Sequence, residues 1–319
     1  MMSRKSAATF MVVLTGVLII CYTPATSADF PAGMIKLIVT AGAGGGEDAE
    51  ARTIAPFAER HLRQKIIIEN QAAAGGKVAF TRFQKTKPDG YSLITYTFPK
   101  SVIIEFLEKV NYKTSDFTPI FGWSRSYQSL VVHAESWKTI DEFMNAAKSR
   151  TLTGGLSGRG STSHLTGLIA VEKLGIKVKW VPYDGSGESL SSLAGKHIDF
   201  TITQPSSASS LIQAGKVRPL LLLSDERDPD MPGLMIPKEM GIDMDFIPAL
   251  RGVEAPPNTP PTIVNILEDA FSKAAMEPGF IEIAKKRKMD LHPTTRQEFA
   301  KIVSDVYPRI AAFQQMLKE

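Results

Sequence analysis

The sequence has little of the chemistry that metal centres, disulfides and thiol enzymes require. Its 319 residues include 1 cysteine, Cys21, and 5 histidines. A single thiol forms neither an internal disulfide nor a cysteine-rich metal site. The histidines include no pair at metal-ligand spacing on a predicted helix. We therefore predict a protein without a metal ion and without a cofactor.

The chain also has little excess of charge of either sign. Lys and Arg total 37 and Asp and Glu total 33, which leaves a formal net charge of +4. No basic block could follow a phosphate backbone, so nucleic acid is not a predicted partner. Hydrophobic residues make up 43% and charged residues 22% of the chain, which are ordinary globular proportions. The slight excess of cations favours small anions only weakly.

The longest apolar stretch lies near the start of the chain. Basic residues 4–5 precede an apolar run over residues 7–22, and small residues follow at 24–28. This order is typical of an export signal, so we predict a periplasmic protein that is cleaved after about Ala28 and not inserted in the membrane. A membrane anchor is disfavoured because the run is shorter than the roughly 20 residues that span a bilayer. Lipid attachment at Cys21 is a weaker alternative, because a bulky residue precedes it.

Beyond this stretch, apolar runs typical of strands alternate with helical patterns. Residues 35–40 form a short apolar run, glycines interrupt it within 42–46, and a helical pattern follows over 51–62. The order repeats from residues 65–69 onward, and a third strand is predicted at 91–97. These successive units predict an α/β fold with mostly parallel sheets flanked by helices.

The middle of the chain repeats this pattern as a separate block. A glycine-rich loop at 158–162 leads into a helix that ends at Gly175. Proline-rich stretches, the last at 255–261, separate the block from two predicted C-terminal amphipathic helices. The length predicts two domains at about 150 residues each. We expect a signal at 1–28, a first lobe from 29–122 plus 224–319, and a second lobe at 123–223 inserted into the first.

The glycine-rich turns suit an anion, because they present free backbone N–H groups and the positive end of a helix dipole. The same loops lack the motifs of nucleotide-binding proteins and of serine hydrolases. The third glycine of a dinucleotide fingerprint falls on Glu47, and residues 75–77 lack the rest of a P-loop. Ser157, Ser161 and Ser186 lack the flanking glycines of a nucleophile elbow, although a triad can exist without that motif.

Several polar side chains keep both a structural and a functional interpretation. Asp48 suits helix capping as well as contact with the loop or with a ligand amine. Glu47 is interpreted as a solvated or rim residue, and His164 as packing in the first turn of its helix. Tyr183 is either a core aromatic or a pocket wall. Three arginines are interpreted as surface charges more readily than as ligand clamps: Arg52, Arg159 and Arg251.

Eight short motifs in one order carry a resemblance over nearly the whole chain after the signal. They are VTAGAGGGEDAEAR (39–52), ENQAAAGG (69–76), PDGYSL (88–93), DFTPI (116–120), SGRGSTSHL (157–165), VPYDG (181–185), IQAGKVR (212–218) and APPNTP (255–260). Together they resemble the extracytoplasmic substrate-binding receptors of tripartite tricarboxylate transporters, the Bug or TctC type. The resemblance implies a two-lobed, type II-like periplasmic-binding fold that closes on a small carboxylate and passes it to membrane permease subunits, without enzymatic activity.

The resemblance also implies a ligand site between the lobes, built from backbone N–H groups and hydroxyl donors. Carried onto this sequence, it comprises Ala43, Gly44, Gly45, Gly46, Glu47, Asp48, Ala74, Gly75, Thr97, Ser157, Ser161, Thr162, His164, Tyr183 and Gln204. Arg251, which departs from the family pattern, is added to the predicted site as a further candidate.

Departures from the family pattern bear on the ligand. Thr40 and Ala41 stand where the family has Pro-Phe, which predicts a roomier pocket. Thr203 replaces a frequent Asp, and Leu250 and Arg251 replace an aromatic-rich segment. Fewer acids and one more cation lead to the hypothesis that the pocket favours a dianion over a zwitterion. Two other functions stay open: a sensory receptor that presents its ligand to a signalling partner and, ranked lower, a secreted α/β hydrolase.

Overall fold

Strands and helices alternate along most of the chain in the computed structural model, which describes residues 30–229 and 231–315. The predicted export signal and its cleavage site lie outside these residues. The strands are β1 Ile35–Val39, β2 Ile66–Asn70, β3 Ser92–Phe98, β4 Thr118–Ser126, β5 Gln128–His133, β6 Leu152–Leu156, β7 Val178–Pro182, β8 Phe200–Thr203, β9 Val217–Leu223, β10 Ala249–Ala255 and β11 Leu291–Thr294.

The helices cover both sheets and connect their strands. They are α1 Gly46–Leu62, α2 Lys77–Phe83, α3 Lys100–Leu107, α4 Ile140–Ser149, α5 Thr162–Leu174, α6 Ser186–Ala194, α7 Pro205–Gln213, α8 Pro261–Met276, α9 Pro278–Lys286 and α10 Arg296–Ala312. Short 3₁₀ turns lie at Ala73–Gly76, Thr114–Asp116 and Pro237–Met240. Within the described ranges, every helix falls short of the length and apolar character that a membrane span needs.

The strands form two separate sheets. The first has the order β11-β4-β10-β3-β1-β2, and the second has the order β7-β6-β8-β5-β9. Strand β1 is parallel to β2 and β3, whereas β10 is antiparallel to both β3 and β4. In the second sheet β6 is parallel to β7 and β8, and β5 runs against β8 and β9. Most strands of each sheet therefore run in one direction, as predicted for this α/β fold.

We call the first sheet with its helices lobe 1 and the second sheet with its helices lobe 2. The chain passes from β4 in the first sheet directly to β5 in the second, and it returns to the first sheet at β10. Strand β4 continues in the first sheet beyond Gly122 to Ser126. The lobe boundaries at residues 122 and 224 stay a prediction.

Burial explains why the short apolar runs become central strands. In β1, Ile35, Leu37 and Val39 alternate along the strand, share one face of the sheet and are fully buried. Strand β8 is buried at every position, because it lies between β6 and β5. Aromatic rings join sheet and helix: Tyr96 of β3 stacks on Phe299 of α10 with ring centroids 4.3 Å apart.

The expectation of two C-terminal helices is wrong. Three helices are present, and α8 ends at Met276 because Pro278 begins α9. Proline has no backbone N–H to continue the helix and disfavours helical geometry at the residue before it. A further strand, β11, precedes α10 and pairs with β4 at the edge of the first sheet. It contains Pro293, which an edge strand tolerates because one side of its backbone needs no ladder partner.

Candidate functional site: a polar cavity between the lobes

A polar cavity lies where the two lobes meet. The space open to the centre of a water molecule is about 40 Å³, so the site is narrow. Lobe 1 contributes Ala41, Gly46, Glu47, Thr97, Lys100 and Arg251. Lobe 2 contributes Gln128, Ser157, Ser161, Thr162, Ser163, Gly185, Ser186, Thr203 and Gln204.

Five helices begin at this cavity. The first residues of α1, α3, α5 and α6 line it, and so does Gln204, the N-cap of α7. Helix α5 is capped by Ser161, whose Oγ accepts from the backbone N–H of His164 at 3.1 Å. The other four helices have no side-chain cap. Their positive dipole ends converge on one small space, which is an arrangement suited to an anion. Helix α7 begins at Pro205, which has no N–H, so it contributes its dipole but not its first donor.

The lobes touch beside the cavity. The N–H of Gly42 donates to the carbonyl of Asp184 at 3.4 Å, and the N–H of Gly46 donates to Ser186 Oγ at 3.2 Å. A Cβ on Gly46 would clash with Ser207 Oγ of lobe 2 and would lie 2.7 Å from Arg251 Nη2, so a larger residue there would displace side chains of both lobes. The glycine-rich loop therefore allows the backbone of lobe 1 to approach the start of α6 in lobe 2.

Glu47 is buried in the cavity wall, with 4% of its surface exposed, so its interpretation as a solvated or rim residue is wrong. Its Oε1 accepts from Thr40 N and Thr40 Oγ1, both at 2.8 Å, and from Thr95 Oγ1. Its Oε2 accepts from Thr97 Oγ1 at 3.0 Å. Burial alone would raise the pKa of Glu47, but the charge of Lys100 and these hydrogen bonds outweigh burial and lower it. Glu47 is therefore ionised at neutral pH.

Lys100 is the cation that faces Glu47. Its Nζ lies 3.9 Å from Glu47 Oε2 and donates to the Thr40 carbonyl at 2.6 Å. Burial lowers the pKa of Lys100, the charge of Glu47 opposes this shift, and the charge of Arg251 adds to it. The two side chains form a buried ion pair on the lobe 1 side of the cavity.

Arg251 forms a second buried ion pair, so its interpretation as a surface charge is wrong. Its Nη1 donates to Glu50 Oε1, and its Nη2 crosses to lobe 2 and donates to Gln204 Oε1. Glu50 Oε2 accepts from Trp123 Nε1 at 3.1 Å and from Ser124 Oγ at 2.5 Å. Arg251 Nε is buried and has no hydrogen-bond partner among the described residues.

These two pairs remove the premise of the dianion hypothesis. Glu47 balances Lys100 and Glu50 balances Arg251, so the cavity has no excess of cations. The hypothesis counted Arg251 as an added charge because Glu50 was not recognised as its partner. Any preference for an anion has to come from the helix N-termini and neutral donors instead.

Lobe 2 offers hydroxyl groups rather than charges. Ser163 Oγ accepts from the N–H of Ser157 at 3.0 Å and lies 2.9 Å from both Ser157 Oγ and Ser161 Oγ. Thr162 Oγ1 and Thr203 Oγ1 are buried, and neither has a hydrogen-bond partner in the described part of the chain. Both residues line the cavity, so the two hydroxyls can donate to a group bound in it.

The structure brings half of the predicted site residues to the cavity. Those that line it are Gly46, Glu47, Thr97, Ser157, Ser161, Thr162, Gln204 and Arg251. Those that do not line it are Ala43, Gly44, Gly45, Asp48, Ala74, Gly75, His164 and Tyr183. Their roles in ligand binding stay a prediction.

The residues outside the wall support the loops. Asp48 accepts from the N–H of Gly44 at 2.9 Å and from Arg52 Nε at 2.9 Å, so it makes a loop contact. His164 Nδ1 accepts from the N–H of Gly160 at 3.2 Å, and burial together with the charge of Arg159 lowers the pKa of His164 to about 4. The imidazole is therefore neutral and holds the loop before α5.

Tyr183 and the second small-residue loop also make contacts within the protein. The hydroxyl of Tyr183 donates to Ser192 Oγ at 2.6 Å within lobe 2. Ala74 and Gly75 adopt positive φ angles of 51° and 66°, and a Cβ on Gly75 would lie 3.3 Å from the Arg159 carbonyl. This loop therefore contacts lobe 2 beside the cavity rather than lining it.

Seven residues of the wall are outside the predicted site, although the departures from the family pattern had already connected Ala41 and Thr203 with the pocket. They are Ala41, Lys100, Gln128, Ser163, Gly185, Ser186 and Thr203. Position relative to a strand could have identified three of them. Thr203 ends β8, Lys100 follows closely after β3, and Ser186 begins the helix after the turn at 181–185. Gln128 has no comparable signal, because it begins an antiparallel strand rather than following a parallel one.

Two α/β lobes that meet at a polar cavity define the class of two-lobed periplasmic binding proteins. Residues 50–318 match the family model described as the tripartite tricarboxylate transporter family receptor, and the chain belongs to this family. The family consists of periplasmic substrate-binding receptors, so the chain is a receptor rather than an enzyme.

Among the described residues, no group of three His, Cys, Asp or Glu side chains could hold a metal ion.

Individual relatives cover almost the whole chain. A UPF0065 protein from the gbd 5′ region of Cupriavidus necator is 32% identical over 297 residues, which are 92% of this chain and 90% of the relative. MatC of Rhodopseudomonas palustris, solved with bound malate, has 26% identity and a TM-score of 0.82 over 90% of this chain and 100% of its own. A second R. palustris protein, solved with adipate, has 25% identity and a TM-score of 0.84 over 91% and 98% of the two chains.

Proposed function

We propose that this receptor binds a small carboxylate in the interlobe cavity and delivers it to the permease subunits of a tripartite tricarboxylate transporter. The observation that carries the proposal is the convergence of five helix N-termini, four of them without a side-chain cap, on one buried polar space. Such N-termini bind carboxylates through free backbone N–H groups and the helix dipole.

Unpaired side-chain donors from both lobes support the same ligand class. Lobe 1 offers Arg251 Nε, and lobe 2 offers the hydroxyls of Thr162 and Thr203. Hydrogen bonds to an ionised acceptor are shorter and about twice as strong as those between neutral groups. A carboxylate therefore satisfies all three donors, and its binding holds the two lobes together across the cavity.

The comparisons add support for the ligand class and for delivery. Malate and adipate are the ligands named for two structural relatives with 25–26% identity. The family description connects its receptors with a tripartite transporter. We infer that the apolar start of the chain directs export to the periplasm and is removed after about Ala28.

A thermal-shift screen against mono-, di- and tricarboxylates, followed by calorimetry, tests the proposal. A ligand at 100 times its dissociation constant stabilises the fold by about 2.7 kcal/mol, so at least one acid is expected to raise the melting temperature. Thr162→Val should weaken that acid, while Thr166→Val, on the same helix but outside the cavity wall, should not. No response across the panel would contradict the proposal.

A further inference from the structure

Glu47 places an ionised acceptor in a cavity where an anion is expected to bind. A buried carboxylate opposes the binding of another carboxylate unless its charge is compensated and its remaining hydrogen-bonding capacity is used. The compensation is present in Lys100, 3.9 Å away. The remaining capacity of Glu47 therefore decides which ligands fit beside it.

Counting hydrogen bonds shows where that capacity lies. Oε1 already accepts three, from Thr40 N, Thr40 Oγ1 and Thr95 Oγ1. Oε2 accepts one, from Thr97 Oγ1. Oε1 shows that a carboxylate oxygen of this residue can accept three donors, so Oε2, which accepts one, has room for a further donor. Glu47 and Thr97 both line the cavity.

The ligand group that donates to Oε2 has to be compatible with the positive charges of Lys100 and Arg251. An ammonium group there would lie in the same cavity as Lys100 and Arg251, and the charge of Arg251 already lowers the pKa of Lys100. A third cation would add repulsion, and Lys100 already balances the charge of Glu47. A hydroxyl group donates the same hydrogen bond without adding charge.

We propose that Glu47 and Lys100 select a carboxylate that carries a hydroxyl group. The ligand hydroxyl donates to Glu47 Oε2, while the ligand carboxylate accepts from Arg251 Nε and the Thr162 and Thr203 hydroxyls. This inference rests on the proposed function and goes further by assigning to Glu47 and Lys100 a role in specificity. An acid without a hydroxyl leaves Oε2 buried without its second donor, which is costly for an ionised group.

Calorimetry with matched acids tests the inference. Three series differ only in the group beside the carboxylate: malate, succinate and aspartate; lactate, propionate and alanine; mandelate, phenylacetate and phenylglycine. In the series that binds, the hydroxy acid should bind at least tenfold more tightly than its deoxy and amino counterparts. Equal binding of the hydroxy and deoxy acids, or tighter binding of the amino acid, overturns the inference but leaves the proposed function intact. Binding of none of the nine acids overturns the inference, whereas the proposed function is contradicted only if the wider panel of mono-, di- and tricarboxylates also gives no response.

Variants separate a role in specificity from a structural role. Glu47→Gln should lower the preference for the hydroxy over the deoxy acid at least threefold, because an amide oxygen is a weaker acceptor. Lys100→Met should raise the affinity for the amino acid relative to the hydroxy acid, because Glu47 then lacks its compensating charge. Lys100→Arg keeps the charge and should keep the preference. A structural role alone would weaken all three acids equally.

A matched control for Glu47 is available in the same lobe. Glu254 is also a fully buried glutamate of lobe 1, but it does not line the cavity. Glu254→Gln should leave the ratio of the three affinities unchanged. If Glu254→Gln changed that ratio as much as Glu47→Gln does, the assignment of Glu47 would be wrong.

Discussion

The two walls of the cavity are built from different chemistry. Lobe 1 presents charged side chains that are held in buried pairs, Glu47 with Lys100 and Glu50 with Arg251. Lobe 2 presents serine and threonine hydroxyls and two glutamines, and none of the residues it contributes to the cavity is charged. The difference indicates a division of labour. On the proposed function, the charged groups of lobe 1 would discriminate between ligands, and the hydroxyls of lobe 2 would donate hydrogen bonds to the bound carboxylate.

Charge pairing is what makes the lobe 1 wall possible. Taking one ion out of water costs several kcal/mol, and a partner with additional hydrogen bonds is needed to offset that cost. Both buried acids meet this condition. Glu47, which lines the cavity, has Lys100 and threonine donors, and Glu50, which does not line it, has Arg251, Trp123 and Ser124. A neutral wall such as that of lobe 2 carries no comparable penalty.

The largest effect is expected from breaking a pair in lobe 1. Arg251→Met leaves Glu50 buried without its cation and should lower the free energy of unfolding by about 3–5 kcal/mol. Urea unfolding monitored by circular dichroism measures the change. The double variant Glu50→Gln with Arg251→Met should recover much of the loss, since no uncompensated charge remains. A loss of under 1 kcal/mol in the single variant would show that the pair is not coupled to stability.

Glu254 shows what happens to a buried acid of lobe 1 without a cation. It is 1% exposed, its Oε1 has no hydrogen-bond partner among the described residues, and burial raises its pKa to about 8. The folded state therefore holds this proton more tightly than the unfolded state. Its contribution to stability is fully present below pH 4.5 and is lost as the pH rises through 8.

The expected size of this pH effect is on the order of 3 kcal/mol between about pH 5 and 9. Urea unfolding across that range should show a decline in the wild type that is absent in Glu254→Gln. Glu47→Gln should not remove the decline, because the pKa of Glu47 is lowered rather than raised. Parallel pH profiles for the wild type and Glu254→Gln would argue that Glu254 finds a charge partner.

A substitution in the lobe 2 wall should change the affinity for the ligand rather than the free energy of unfolding. Thr203→Val keeps the shape of the side chain and removes a buried hydroxyl that has no partner among the described residues. We expect the carboxylate affinity to fall about tenfold, which corresponds to about 1.4 kcal/mol. The free energy of unfolding without ligand should change little, because no hydrogen bond to the protein is lost. Calorimetry and urea unfolding on the same preparation check both, and a stability loss without an affinity loss would reverse the assignment.

The smallest effect is expected where the walls touch. Ser186→Ala removes the acceptor for the Gly46 N–H and should cost about 1 kcal/mol. Because this bond joins the lobes, the loss should favour their separation, which small-angle X-ray scattering would record as a larger radius of gyration. Ser191→Ala, on the same helix but bonded only to Gly187 within it, is the control and should leave the radius unchanged.

The sequence predicted the helix starts at the cavity better than it predicted the partners of the buried charged side chains. The glycines before α1 and the Ser161 cap of α5 are local features, so their patterns identify the helix starts that line the cavity. The ion pairs are not local. Arg251 and Glu50 are separated by 201 positions, and only the pairing of β10 beside β3 and β4 brings Arg251 to the start of α1. A count of charges along the chain therefore misjudged the balance within the cavity.

Glu47 illustrates the same limit at shorter range. Its position in the first turn of α1 is typical of an exposed acid beside a helix N-terminus. Its hydrogen-bond and charge partners come from elsewhere in the chain. Thr95 and Thr97 belong to β3, and Lys100 follows that strand. Only the pairing of β1 with β3 in the folded protein places these partners beside Glu47.

The central claim is that donors from both lobes bind a carboxylate in this cavity. Calorimetric titration of the wild type and the double variant Thr162→Val with Thr203→Val, with the tightest-binding acid of the panel, tests it most directly. The account predicts saturable binding at one site in the wild type and an affinity about 100-fold lower in the double variant, which corresponds to about 2.7 kcal/mol. An unchanged affinity in the double variant would contradict the account.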